Sequence, residues 1–129
     1  MQRTILHCDM NAFYASVEEL YDPGLRKGPM AVCVDPSSRH GIILAKNEQA
    51  KDYGIVTAET VWQARRKCPE LMLVRAHHQR YAEYSVMAGE IYKRFTDMVE
   101  PYSIDESWLD VTGSIGLFGS GKSMADRIR

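Results

Sequence analysis

The order of apolar runs and helix-forming stretches predicts an α+β domain built of mixed α/β layers. Three observations carry this. Short apolar runs of strand length, at Thr4 to Cys8 and Met30 to Val34, alternate with stretches of helix formers. A long segment from Gln79 to Met98 sets Tyr81, Tyr84, Ala88, Ile91, Phe95 and Met98 three and four residues apart, a stripe that one helix face buries. Two further strand candidates, around Tyr102 to Ile104 and Trp108 to Val111, flank the acidic pair Asp105 and Glu106.

Taken in order, Thr4 to Cys8 reads as a strand running into Asp9. Ala12 to Leu20 reads as a helix, stopped by Asp22-Pro23-Gly24. The run Met30 to Val34 is a strand closed by Asp35-Pro36-Ser37-Ser38, and Gly41 to Leu44 is a second short strand. Lys46 to Tyr53 is a helix with Gly54 just past its end. Thr60 to Lys67 is a basic helix that Cys68-Pro69 ends, and Leu71 to Val74 is a strand. Lys122 to Arg129 reads as the opening turns of an amphipathic helix without a Gly or Pro cap, as expected of a fragment. There is no internal repeat, low-complexity tract or flexible linker.

Composition bounds the function. A length of 129 residues suits one domain or a piece of a larger protein, and 45 % apolar with 26 % charged residues is an ordinary globular balance. No run is apolar enough to span a membrane, and Met1-Gln2-Arg3-Thr4 leads straight into a strand-like segment, so no signal peptide is expected. Cys8, Cys33 and Cys68 lack zinc-like spacing. Their odd number favours buried free thiols in a reducing cytoplasm. A net charge of −1 requires that any nucleic-acid-binding surface be local or lie on a part of the protein beyond these residues.

Chemistry concentrates at Asp9, Asp105 and Glu106. Each stands where a strand ends or bends. Asp9 alone reads equally well as a helix N-cap, and Asp105-Glu106 alone as a polar turn. Several carboxylates brought together beside core strands are costly unless a cation compensates them. Hard divalent ions such as Mg2+ prefer oxygen ligands and commonly meet proteins through carboxylates and substrate phosphates. Convergence of these three acids therefore points to phosphoryl or nucleotidyl transfer.

The words around the acids resemble those of the Y-family, lesion-bypass DNA polymerases, most closely the bacterial polymerase IV (DinB-like) group. The resemblance rests on four stretches: His7-Cys8-Asp9-Met10-Asn11-Ala12-Phe13-Tyr14-Ala15-Ser16-Val17-Glu18, Pro29 to Val34, Ala50 to Ile55, and Ser103 to Thr112. It implies a partial palm, a sheet backed by helices, over residues 1–11 and 77–129, with a small inserted fingers subdomain over 12–76. Thumb and little-finger-type domains would lie outside the chain. It implies that Asp9 and Asp105 bind two Mg2+ ions, that Glu106 completes the site at the primer 3′-hydroxyl, and that the Met10 carbonyl is a further metal ligand. Tyr14 takes the steric-gate position under the sugar, while Phe13 reads as core. The backbone of Ala12 to Tyr14 and the side chain of Lys51 face the triphosphate. The implied partners are template-primer DNA, deoxynucleoside triphosphates and a sliding clamp engaged through the absent part, with no membrane. The implied activity is translesion synthesis in the cytoplasm.

The fingers segment departs from that pattern. Many members carry Ser or Thr, then Tyr, then Arg at the positions held here by Ala45, Glu48 and Lys51. Lys51 keeps the charge without the bidentate fork of Arg, and Glu48 would repel a phosphate it faced. Lys46 and Arg39 are the candidates to compensate. Two rival readings follow: an accessory relative that keeps the fold without catalysis, and a nucleotide hydrolase. The second rests on Gly116-Leu117-Phe118-Gly119-Ser120-Gly121-Lys122-Ser123, which fits the phosphate-binding loop GxxxxGK[ST]. His77-His78 reads as the polar start of the long helix, and Arg65-Arg66-Lys67 as a solvated helix face.

Overall fold

The computed structural model describes residues 2–10 and 12–129 and divides the chain into two compact units, Met1–Met10 with Ala82–Arg129, and Asn11–Tyr81. Asn11, at the expected palm–fingers boundary, lies outside the described residues.

The first unit is built on a three-stranded antiparallel sheet in the order β1 (Ile5–Asp9), β6 (Glu106–Asp110), β5 (Val99–Ser103). Pro101 sits in β5, an edge strand, where its missing N–H costs no ladder bond to a further strand. Alternation sets the faces. Leu6, Cys8, Leu109 and Val111 pack with Tyr92, Phe95 and Met124, while Ile5, His7, Asp9 and Trp108 stay exposed. Helices α4 (His78–Lys93, shared with the other unit), α5 (Ile115–Phe118) and α6 (Gly121–Ile128) complete the order.

In the second unit the central strand β2 (Met30–Cys33) is buried along its whole length, as a continuous apolar run demands. It pairs antiparallel with β3 (Ile43–Lys46) and parallel with β4 (Met72–Arg75). The parallel pair requires a long crossover, and β3, α2 (Glu48–Asp52) and α3 (Val61–Lys67) supply it. Ala50, Ile55, Val61, Ala64 and Cys68 close the core against Ala31, Cys33 and Ile43. Helix α1 (Phe13–Tyr21) follows β1 in sequence, and Pro23 opens a short 3-10 turn rather than simply ending the helix.

Four expectations are corrected. The strand expected at Gly41 to Leu44 runs instead over Ile43–Lys46, because the chain is still turning at Gly41. A Cβ there would clash with the Asp35 carbonyl oxygen. The helix expected from Lys46 starts at Glu48, since Asn47 caps it. The long helix ends at Lys93, not Met98. Thr96 takes the chain out, its hydroxyl donating to the Asp110 carbonyl (2.7 Å) and accepting from Met98 N–H (3.1 Å). Ile91 and Met98 are exposed and Tyr92 is buried in their place. Finally, β5 ends at Ser103 and β6 starts at Glu106, which makes the acidic pair part of a tight hairpin.

Candidate active site

The β1–β6 register brings the first unit's acids to one end of its sheet. Asp9 is directly opposite Glu106, and the Met10 N–H donates to the Asp105 carbonyl at 2.9 Å, tying the end of β1 to the hairpin turn. Directly opposed residues of an antiparallel pair project from the same face. Asp9 and Glu106 therefore share the solvent face with His7 and Trp108, which are paired two rungs further along.

Neighbours hold both hairpin acids. The Ser103 hydroxyl lies 3.0 Å from Asp105 Oδ1 and 3.1 Å from Glu106 Oε2. It has one proton, so it donates to one carboxylate at a time. His7 Nε2 lies 3.2 Å from Glu106 Oε1, and the imidazole is stacked on Trp108 with ring centroids 4.2 Å apart. At the far end of the strands, hydrogen bonds from the Thr112 hydroxyl and backbone, then Arg3, hold Asp110 below the usual carboxylate range.

The donor set fits a hard divalent ion, being three carboxylates on neighbouring positions of one hairpin and its partner strand, with the Met10 backbone beside them. Among the described residues, no three His, Cys, Asp or Glu side chains are gathered closely enough to enclose a metal.

The expected nucleotide-facing residues belong to the second unit. Asp9 is not the cap of α1. That place falls to Ala12, whose backbone is left-handed (φ 47°) and offers no side-chain cap. A non-glycine residue there is strained, and Ala12 itself supplies no side-chain acceptor to the first N–H groups of α1. An open groove beside this helix start is lined by Ala12, Ser16, Glu19, Arg26, Asn47 and Glu48. Glu48 thus does line the groove next to Ala12. Lys51 is exposed on α2, and Ala45 lies within β3 opposite Val32. Both suggested substitute cations make contacts within the second unit. Lys46 Nζ lies 3.5 Å from the Thr57 hydroxyl, and Arg39 sits over the Trp62 ring.

Phe13 is buried, in keeping with a core role. Tyr14 is half-buried and lies face to face on Tyr81, with ring centroids 4.1 Å apart and planes 11° apart. His78 meets both rings edge-on. Behind this stack is a cluster that sequence reasoning missed. Glu18, 2 % exposed, accepts from the Tyr81 hydroxyl (2.9 Å) and Arg80 Nη1 (3.1 Å), with His77 Nδ1 2.8 Å from Oε1. The His77 N–H in turn donates to the Tyr81 hydroxyl. Burial above all, against a favourable His77 N–H bond, pushes the Tyr81 phenol well above its usual range. The only sequence signal was a charged residue on the buried side of α1, four residues after Tyr14.

The phosphate-binding loop reading fails on geometry. Gly116 to Phe118 are helical in α5, and α6 starts at Gly121 with Ser120 as its cap, so the motif forms no open loop after a strand. Lys122 pairs with Asp126 on its own helix.

Comparison with known proteins agrees with the fold. A protein named DNA polymerase IV from Acetivibrio thermocellus is 54 % identical over 129 residues, all of this chain and 32 % of that protein. DNA polymerase IV 2 of Bacillus subtilis is 43 % identical over 128 residues, 99 % of this chain and 31 % of that one. The chain thus spans about a third of the length of the curated relatives it matches. Among solved structures, an insertion ternary complex of Dbh DNA polymerase superposes with a TM-score of 0.88 at 28 % identity, covering 96 % of this chain and 37 % of that one. DinB from Sulfolobus solfataricus gives the same TM-score and identity over 96 % of this chain and 36 % of its own. With the impB/mucB/samB family pattern matching residues 8–129, the chain belongs to that family, the Y-family polymerase group its motifs resemble.

Proposed function

We propose that this chain is the catalytic portion of a DNA-directed DNA polymerase of the lesion-bypass type. It adds deoxynucleotides to a primer 3′-end on template DNA and releases pyrophosphate. In this reading residues 1–11 and 77–129 are palm and 12–76 are fingers. The two compact units, whose boundaries fall after Met10 and after Tyr81, support that division.

The reaction is divalent-metal dependent, and we assign Mg2+ as the metal. Bound ions supply charge stabilisation for the attacking and leaving oxygens of an in-line displacement. Asp9 and Asp105 would hold both ions, with the Met10 carbonyl as a further ligand. Glu106 would orient the primer 3′-hydroxyl side of the site. Its two oxygens face His7 and Ser103, which restricts the carboxylate before anything binds. The start of α1 at Ala12 to Tyr14 would offer N–H groups to triphosphate oxygens, aided by the helix dipole. Tyr14, its ring plane set by the stack on Tyr81, would lie under the sugar and exclude a 2′-hydroxyl. Lys51 would add charge at the triphosphate. The reducing cytoplasm suits three free thiols, two of them fully buried, and among the described residues no helix is long and apolar enough to cross a membrane.

The observation that carries this reading is the direct opposition of Asp9 and Glu106 beside the Asp105 turn, in a chain of this family. Template-directed primer extension by the intact protein, lost on Asp105→Asn, tests it. Extension unaffected by that change would leave the accessory-relative reading in its place.

A further inference from the structure

The basic cluster Arg65-Arg66-Lys67 is not a uniform solvated face. Lys67 is tied down, its Nζ bonded to Glu59 Oε2 at 2.8 Å and to the Gly54 carbonyl at 2.9 Å. Arg66, one turn after Trp62 on α3, places its guanidinium 5.0 Å from the Trp62 ring centroid. Arg39, from the β2–β3 turn, places a second guanidinium 5.6 Å from the same ring. That turn is pinned to the start of α3 by two backbone bonds, Trp62 N–H to the Arg39 carbonyl (3.1 Å) and Val61 N–H to the Gly41 carbonyl (2.8 Å). Within the turn, the chain passes so close to Asp35 and Ser38 at Gly41 that no Cβ fits there. Arg39 thus meets Trp62 through built backbone geometry.

Two features distinguish this patch from an aromatic ring merely covered by arginine stems. Trp62 stays 44 % exposed and lines an open groove with Glu59, Gln63, Arg66 and Lys67. Among the described residues, Arg39, Arg65 and Arg66 form no ion pair with any carboxylate. In a chain of net charge −1 this is a local concentration of uncompensated cations around an aromatic face. A guanidinium lying over a ring keeps its N–H groups at its edge, available to phosphate oxygens. Sequence-tolerant binding of single strands uses this combination, an aromatic face for a base and cations for the backbone beside it.

We propose that Trp62, Arg39 and Arg66 form a stacking platform for an unpaired nucleotide of single-stranded nucleic acid. The platform rests on the polymerase reading in one respect: a template-directed enzyme must handle an unpaired template strand. The ring takes the base, and the two guanidiniums take the flanking phosphates.

The test is equilibrium binding of the intact protein to oligothymidylate and to an abasic strand of the same length, over a range of salt concentrations. Trp62→Ala should weaken oligothymidylate binding on the order of tenfold while leaving the abasic strand unaffected. Trp62→Phe should restore most of the loss. Arg39→Ala and Arg66→Ala should weaken both strands and each lower the salt slope by about 0.7. Oligothymidylate affinity unchanged by Trp62→Ala, equal losses for both strands, or competition by polyglutamate as effective as by DNA would overturn the platform. Primer extension by Asp105→Asn reads separately: extension lost there while Trp62→Ala binds normally sinks the platform alone, and extension retained there sinks the polymerase reading.

Discussion

Glu106 stands directly across from Asp9 in the β1–β6 ladder, with one oxygen 3.2 Å from His7 Nε2. Like charges opposed on neighbouring strands are destabilising. The sheet nevertheless ends on this pair, with Asp105 in the adjoining turn. Such an arrangement is costly for stability alone and intelligible if a cation is to be held there. Trp108, stacked on the imidazole, fixes the ring that faces Glu106.

The proposed steric-gate role of Tyr14 builds on its stack against Tyr81. Tyr14→Ala in the intact protein should raise ribonucleotide incorporation relative to deoxyribonucleotide on the order of 10²-fold, because it removes a clash rather than an attraction. A competition assay with paired nucleotides checks this. Unchanged discrimination would return Tyr14 to a purely structural role.

Glu18 should matter to stability. Its carboxylate is the shared acceptor for Tyr81 and Arg80, with His77 alongside. Glu18→Ala strands these partners around an empty site. A loss of about 2–4 kcal/mol is expected, below the full value for a buried pair because Arg80 and His77 are partly exposed. Urea unfolding measures it, and a loss within 0.5 kcal/mol, ordinary for surface positions, would contradict the assignment.

Alkaline stability should depend on Tyr81. Its phenol ionises less readily folded than unfolded, chiefly through burial. The contribution is intact below the ordinary tyrosine value of about 10 and falls away as pH rises beyond it, where the unfolded chain gives up the proton first. Unfolding free energies between pH 9 and 11 should fall less steeply in Tyr81→Phe than in the parent chain. Parallel profiles would refute the linkage.

Asn47 joins three elements of its unit. Its Oδ1 accepts from Ala50 N–H (2.9 Å) as the cap of α2 and from Met30 N–H (3.2 Å), while Nδ2 donates to the Gly28 carbonyl (3.0 Å). Asn47→Ala should cost about 2–3 kcal/mol, more than a simple cap, since it also strands a buried donor at the start of β2. Thermal unfolding gives the comparison, and a shift no larger than for an exposed cap would count against this role.

Local signals reach some of these features and not others. The run Met30 to Val34 reads as a buried strand because an all-apolar stretch between turn residues has few other uses. The end of α4 does not read out, because helical spacing continues through Phe95 and Met98 while Thr96 leaves the helix through a bond to Asp110, 14 residues away. Asp105 and Glu106 attract notice as acids between apolar runs, but the face each takes depends on β6 starting at Glu106, and that register is set by pairing with β1. The Glu18 cluster is invisible locally because its partners lie 59 to 63 residues further on.

The most direct test of the central claim is template-directed primer extension by the intact protein with Mg2+, comparing the parent sequence with Asp9→Asn and Asp105→Asn. Each substitution removes a charge proposed to hold a metal while nearly preserving shape, and each should reduce the rate by at least about 10²-fold with the fold retained by circular dichroism. Extension by either variant at the parent rate would contradict the assignment of these carboxylates to catalysis.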